Sequence, residues 1–229
     1  SGSFLLSIKT DYPERLLGCD NDFLAVCICK VNLLLKYPDE NYIPNVRRCD
    51  FLDKNISSDQ KTIFDKKYDY IITNPPWGSL NNSNLYINSK ESFANFFVKA
   101  YSCLKDNGVI RFLLPTSILN VKTHINIRKF ILDNTNIHSI KFYDNIFSRV
   151  TTKFIDIECG KNKPSDTVSV VYNGKSISIK LKSFYLTKNN NFNILNDQDY
   201  NIIRKCLDKG AYTLENSTWA LGIVTGNNT

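Results

Sequence analysis

The 229-residue sequence contains no methionine, only two histidines (His124 and His138) and no long apolar run. Either selenomethionines have dropped out of it or it is an interior part of a longer protein, and its two ends favour the second explanation. The seven cysteines are an odd number without framework spacing, and so few histidines complement them that we expect no metal site. Free thiols suit a cytoplasmic protein. No apolar stretch approaches the roughly 18 residues that a membrane span needs, and no basic signal-peptide start is present, so we expect no membrane partner.

The composition is that of a folded globular protein. Hydrophobic residues make up 42% and charged residues 22%, which is typical of globular rather than disordered chains. The length gives room for one sizeable α/β domain, with the start of a second. The formal net charge of +7 suits a polyanionic partner without demonstrating one.

Short β-rich runs alternate with longer amphipathic stretches, which predicts a parallel sheet with crossover helices. The predicted strands are 15–20, 46–50, 68–74, 109–115, 137–143 and 152–160, and the predicted helices are 22–36, 89–105 and 121–134. Beyond residue 160, Asn173-Gly174 separates two short β-rich runs and predicts a hairpin with a type I′ turn. A further helix is predicted over 197–208.

The most informative segment is Asn74-Pro75-Pro76-Trp77, which directly follows the predicted strand 68–74. The Asn74 side-chain carbonyl and the Pro75 backbone carbonyl can both accept hydrogen bonds from one –NH2 group. The prolines fix φ near about −65° and remove competing N–H donors, while Trp77 offers a flat face to a heteroaromatic ring. The structural alternative is a strand ended by Pro-Pro, with the Trp in the core.

Two other predicted strands end in carboxylates, and ligands of open α/β sheets bind beyond the carboxyl ends of the strands. Asp20 can accept hydrogen bonds from ribose hydroxyls. Asp50 can accept one from an adenine amino group, and Phe51 can pack on the purine. Each Asp alone could equally be a turn or cap residue. Three such strand ends, separated by βα lengths, indicate a site for a nucleoside cofactor and an amino substrate.

With these residues the chain resembles the adenine-N6 DNA methyltransferases of restriction–modification systems, in the subgroup whose cofactor region comes first. Ser1-Gly2-Ser3-Phe4 resembles the end of the family's Gly-Ser-Gly-x-Phe loop, and residues 17–22 and 49–52 resemble its ribose-binding and adenine-binding segments. The resemblance implies S-adenosylmethionine as the cofactor. The residues that it assigns to cofactor binding are Ser1, Gly2, Phe4, Asp20, Asn21, Asp50 and Phe51.

The resemblance also implies a fold and a domain order. It implies the Rossmann-like methyltransferase fold, a mostly parallel sheet with one antiparallel strand. The family's first strand, which is central in the sheet, is absent from the sequence, so we expect an unfilled slot. The implied domains are a catalytic core at 1–160, a hairpin and helix extension at 161–211, and the start of a DNA target-recognition domain at 212–229.

The implied activity is methyl transfer to the N6 amino group of an adenine flipped out of double-stranded DNA. Asn74, Pro75, Pro76 and Trp77 would be catalytic, and Trp77 and Phe147 would stack on the base, although Phe147 could instead be a core residue. A nuclease could be fused or separate, and the sequence leaves the oligomeric state open. The alternatives are a protein glutamine N5-methyltransferase, an RNA amino-methyltransferase and a non-catalytic DNA-binding fragment.

Overall fold

The computed structural model describes residues 2–54, 64–80, 85–143, 153–162, 164–210 and 218. The α-helices of this part are α1 (Ser3–Ser7), α2 (Phe23–Lys36), α3 (Ser92–Ser102), α4 (Ile125–Asn134) and α5 (Asp197–Lys209). The strands are β1 (Leu17–Asp20), β2 (Asn45–Arg48), β3 (Tyr68–Thr73), β4 (Leu104–Pro115), β5 (Asn136–Tyr143), β6 (Phe154–Gly160), β7 (Thr167–Tyr172) and β8 (Lys175–Lys180). Short 3-10 helices occupy Pro13–Arg15, Thr116–Leu119, Lys122–His124 and Leu181–Tyr185. None of the helices described is long and apolar enough to cross a membrane.

The predicted elements are present, with boundary errors of up to five residues. Strand β4 begins at residue 104 and not at 109, and α4 begins at residue 125 and not at 121. Both ends of α3 also differ from the prediction. The helix begins at Ser92, with Glu91 at its N-cap, and not at Ser89. The Ser89 hydroxyl instead accepts a hydrogen bond from the Glu91 N–H at 3.2 Å, forming a local turn ahead of the helix. The helix also ends at residue 102, because Leu104 already pairs with Tyr68 as the first residue of β4.

The strands form two sheets, a parallel pair β1-β2 and a six-stranded sheet in the order β3-β4-β6-β5-β7-β8. Strand β6 runs antiparallel to both β4 and β5, which confirms the mostly parallel sheet with an antiparallel strand inside it. The predicted hairpin joins the same sheet, since β7 pairs with β5 and β8 adds a second antiparallel strand. Asn173 (φ 48°) and Gly174 (φ 74°) have the positive φ angles that a type I′ turn requires.

The sheet is interrupted between its two parts. Within the described ranges, β1 is hydrogen-bonded only to β2, and β3 only to β4. The slot that we expected for the family's first, central strand would fall at this interruption. The division of the chain at residues 160 and 211 stays a prediction. The β7-β8 hairpin and Phe184 share the main apolar core with the strands before residue 160.

Two apolar cores pack the helices against the two sheets. The larger one packs the inward residues of β4 and β6, such as Phe112 and Ile157, against Phe93 and Phe97 of α3. Each such side chain, fully buried, contributes about 1.5–3 kcal/mol. The smaller core packs α2 on the β1-β2 pair through the buried side chains Val26, Cys29, Leu33 and Val46.

Candidate functional site

The carboxyl ends of β1 and β2 lie side by side. The Cys49 N–H donates to the Asp20 carbonyl at 2.9 Å, which places Asp50 next to the end of β1. One carboxylate oxygen of Asp20 accepts the Asp22 N–H at 3.0 Å, and Asp22 in turn caps α2 by accepting the Leu24 N–H at 2.7 Å. The strand end therefore leads directly into the helix, as the sequence order predicted.

A cavity of about 370 Å³ opens at these strand ends, lined by Asn21, Arg48, Cys49, Asp50 and Asp53. One Asp50 carboxylate oxygen accepts the Leu52 N–H at 2.9 Å. Asp20 and Asp50 thus have the turn-forming role that the alternative interpretation gave them. Both side chains are nonetheless exposed, and a turn uses only one oxygen of each, so they can also accept hydrogen bonds from a ligand.

Phe51 faces α3 and is partly buried. Its ring stacks on Phe96, with ring centroids 5.2 Å apart and an angle of 29° between the planes. A second contact is edge-to-face, with Phe64 at 5.5 Å. One face of the Phe51 ring is therefore already covered by protein, and packing on a purine would have to use the rest of the ring.

Lys99 is a neighbour of this loop that sequence reasoning missed. Its Nζ atom lies 3.0 Å from the Asp53 carbonyl oxygen and 4.2 Å from the centroid of the Phe64 ring. Burial lowers the pKa of Lys99, while Cys103 and Asp50, among its neighbours, act in the opposite direction. A signal was available, because Lys99 is the one charged residue in the sequence of α3.

The Asn-Pro-Pro-Trp segment begins directly after β3. The Asn74 side chain is exposed and has no hydrogen-bond partner in the described part of the chain, whereas Pro75 is buried. Gly78 follows with φ at +148°, a conformation that favours glycine, and its carbonyl accepts the Ser92 N–H at 2.7 Å. The segment is thereby tethered to the first residue of α3.

Trp77 has an aromatic neighbour, Phe154, which in turn is close to Tyr143. Its side chain is 40% exposed, and its ring centroid lies 6.4 Å from that of Phe154, which is only 3% exposed. The ring centroid of Tyr143 lies 6.2 Å from that of Phe154. Sequence reasoning identified Trp77 but missed Phe154 and Tyr143, which come from the start of β6 and the end of β5. The predicted stacking residue Phe147 lies outside the described residues.

The first residues of the chain pack on α2. Gly2 caps α1 with φ at +81°, and a Cβ atom there would lie 2.3 Å from the Cys29 sulfur, so a larger residue does not fit. Leu5 of α1 approaches β1 so closely that a Cβ on Gly18 would lie 2.9 Å from its side chain. The predicted loop therefore adjoins the strand that ends at Asp20. Phe4 is partly exposed, and Ser1 lies outside the described residues.

The structure brings some of the predicted site residues close together and places others on a different sheet. Asn21 and Asp50 line one cavity, with Asp20 beside them. Asn74 and Trp77 belong to the other sheet, and α3 connects the two sets through its contacts with Phe51 and Gly78. Among the described residues, no group of three His, Cys, Asp or Glu side chains could hold a metal ion.

Sequence comparison finds similar proteins among restriction–modification methylases. The model of the family "Eco57I restriction-modification methylase" matches residues 14–147. The type II methyltransferase M.VspI of Vibrio sp. (strain 343) is 31% identical over 246 residues, which cover 100% of this chain and 57% of that protein. The chain therefore spans little more than half the length of this curated relative.

Solved structures of similar fold include a subunit of a type I restriction enzyme and a protein bound to DNA. The M protein of the type I restriction enzyme EcoKI superposes with a TM-score of 0.54 and 20% identity, covering 68% of this chain and 34% of that one. The DrdV–DNA complex gives a TM-score of 0.62 and 13% identity, covering 82% and 26%. At these identities the likeness shows the fold, and the fold is that of the methyltransferases.

Proposed function

Because the chain belongs to the Eco57I restriction-modification methylase family, we propose that its protein methylates the N6 amino group of an adenine in double-stranded DNA. The observation that carries this proposal is the exposed Asn74 side chain, which has no hydrogen-bond partner in the described part of the chain and stands three positions before the half-exposed Trp77. Since the substrate is cellular DNA, the proposed place of action is the cytoplasm.

The proposed cofactor is S-adenosylmethionine, and the residues at the ends of β1 and β2 fit it chemically. Asp20 and Asp50 are exposed carboxylates that can accept hydrogen bonds from ribose hydroxyls and from an adenine amino group. Asn21 lines the same cavity as Asp50. Phe51 would pack on the purine, and Ser1, Gly2 and Phe4 would complete the site. When bound, the cofactor supplies an electrophilic methyl group.

Asn74 and Pro75 would bind and orient the target amine. The Asn74 side-chain carbonyl and the Pro75 backbone carbonyl accept one amino hydrogen each, which draws the nitrogen toward tetrahedral geometry and localises its lone pair. Pro76 keeps the loop rigid and removes a competing donor. Alignment supplies part of the rate, and stabilisation of the positive charge developing on the nitrogen supplies the rest.

The target adenine must leave the duplex before this amine can reach Asn74. Unstacking costs a few kcal/mol, and stacking on an aromatic side chain returns about 1–3 kcal/mol per contact. Trp77 would provide one such contact and Phe147 a second. The net charge of +7 supports a DNA partner, and a nuclease, fused or separate, is part of the proposal for a restriction–modification system.

The two carbonyl acceptors of Asn74 and Pro75 could also bind the side-chain amide of a protein glutamine or an exocyclic amino group of RNA. Family membership favours DNA over both. Family membership disfavours the non-catalytic alternative as well.

The decisive experiment replaces Asn74 in the full-length protein. We expect Asn74→Ala to lower adenine methylation by about 10²–10³-fold or more, as loss of a transition-state hydrogen bond does. Binding of S-adenosylmethionine, measured by calorimetry, should change little. Asn201→Ala, an exposed asparagine on α5, is the matched control. Undiminished methylation by Asn74→Ala would rule out the proposed role.

A further inference from the structure

Lys99 is a buried ammonium group whose burial has to be explained. The residue is only 6% exposed, and burying an unpaired charge is costly. Within the described residues Lys99 makes no ion pair. The ammonium instead donates to the Asp53 carbonyl at 3.0 Å and lies 4.2, 5.2 and 5.3 Å from the ring centroids of Phe64, Tyr86 and Phe51. A carbonyl and three aromatic rings offset the loss of water.

These partners converge on the turn that carries Asp50 and Phe51. The Asp53 N–H donates to the Asp50 carbonyl at 3.2 Å, which closes a turn over residues 50–53. Lys99 binds the carbonyl at the end of this turn and the Phe51 ring within it. It therefore contacts the turn at two points, from a helix that belongs to the other sheet.

A second segment joins the same cluster. The Tyr86 hydroxyl lies 3.3 Å from the Leu52 carbonyl, and the Lys54 ammonium donates to the Leu85 carbonyl at 2.9 Å. The Tyr86 N–H in turn donates to Asn95 of α3 at 2.6 Å. The turn at 50–53, residues 85–86 and α3 thus meet around the Lys99 ammonium.

We propose that Lys99 is a positioning residue, which holds the turn at 50–53 so that Asp50 and Phe51 bind the adenosine part of S-adenosylmethionine. This inference rests on the proposed function and deepens it. Lys99 acts through the turn and touches neither the reacting nitrogen nor the methyl group. Its effect therefore belongs to cofactor binding and not to the chemical step.

The test compares Lys99→Met with Lys105→Met in the full-length protein. Lys105 is exposed and pairs with Asp69 at 2.9 Å, so its replacement is a matched control. We expect Lys99→Met to weaken binding of S-adenosylmethionine about tenfold in calorimetry without DNA, a change of about 1.4 kcal/mol. The KM for DNA and kcat at saturating cofactor should stay within about twofold, because a positioning role in cofactor binding leaves these terms unchanged. A general structural defect would instead change the cofactor affinity, the KM for DNA and kcat together.

A second measurement keeps the test decisive if Lys99→Met does not fold. Burial lowers the pKa of Lys99 from its ordinary value of 10.5. The protonated form makes the proposed contacts, so cofactor affinity should be full below this pKa and fall as the pH rises through it. Lys99→Arg keeps its charge over this range and should lose less affinity than the unsubstituted protein as the pH rises toward 10.5. If cofactor affinity depended on pH in the same way in the unsubstituted protein and in Lys99→Arg, the inference would be overturned.

The outcomes separate this inference from the proposed function. If the unsubstituted protein binds no S-adenosylmethionine, the proposed function itself fails. If it binds the cofactor and folded Lys99→Met binds equally well, only the assignment of Lys99 fails. A selective loss in Lys99→Met, absent from Lys105→Met, supports both.

Discussion

Trp77 shows how a single residue combines exposure with support. An aromatic ring that is 40% exposed loses much of the burial that usually stabilises it. Its neighbour Phe154 is buried, with ring centroids 6.4 Å apart and an angle of 50° between the planes. Such a ring is pre-organised for stacking, because little side-chain entropy remains to be lost when a base binds.

We expect Trp77→Ala to weaken binding of the flipped base by about 1–3 kcal/mol, the contribution of one base–aromatic contact. Trp77→Phe should keep most of this energy, since a smaller ring still stacks. The measurement is the fluorescence of 2-aminopurine placed at the methylated position in the DNA. Tyr185→Ala, at an exposed ring outside the site, is the control. An unchanged signal with Trp77→Ala would contradict the assignment.

Sequence could identify residues of the site only where they are contiguous or end a strand. Asn74 and Trp77 stand three positions apart in a recognisable segment, and Asp20 and Asp50 end predicted strands. Lys99 and Phe154 lack such a signature, because their roles arise from contacts with residues 46 and 77 positions away in the chain. A lysine in an apolar helix signals an unusual environment, but the sequence does not say what surrounds it.

At the scale of elements, periodicity located the strands and helices well and their ends less well. The β-rich run at 152–160 predicted β6 correctly, and Asn173-Gly174 between two further β-rich runs predicted the β7-β8 hairpin. The start of α3 was misplaced because the Ser89 hydroxyl bonds locally ahead of the helix. Such competition between a side chain and the helix backbone depends on three-dimensional geometry that periodicity does not contain.

The position of α4 depends on Arg128, a fully buried side chain that joins three segments. Its guanidinium donates to the Ile118 carbonyl at 2.9 Å and the Val121 carbonyl at 2.8 Å. A further bond reaches the Asn189 carbonyl at 2.9 Å. Arg128 therefore ties the loop after β4 to the segment that follows the hairpin, although burial lowers its pKa.

We expect Arg128→Met to lower the free energy of unfolding by about 3–5 kcal/mol, since several buried carbonyls lose their charged donor. Lys129→Met changes the exposed neighbour on the same helix and should cost less than about 0.5 kcal/mol. Urea denaturation followed by circular dichroism measures both values. Equal stabilities for the two variants would show that Arg128 does not hold these segments together.

At the scale of the whole molecule, the two halves of the candidate site lie on separate sheets. Asp20 and Asp50 follow the β1-β2 pair, whereas Asn74 follows β3 of the six-stranded sheet. The fold class and the interruption between the sheets could be predicted from the order of strands and helices and from the family resemblance. The connection between the halves could not, because it consists of side-chain contacts of α3 with the turn at 50–53.

This division predicts unequal local stabilities in the 229-residue chain. The β1-β2 pair is supported by a small core, and the six-stranded sheet by a much larger one. In native-state hydrogen exchange, amides of β1 and β2 should therefore open with a free energy at least about 2 kcal/mol below that of β4 and β6 amides. Saturating S-adenosylmethionine at 100 times its Kd should raise the opening energy of β1 and β2 by up to about 2.7 kcal/mol. The β7-β8 hairpin, which lies at the far edge of the sheet, should not respond. Uniform exchange across both sheets would mean that the α3 contacts already unite them into one cooperative unit.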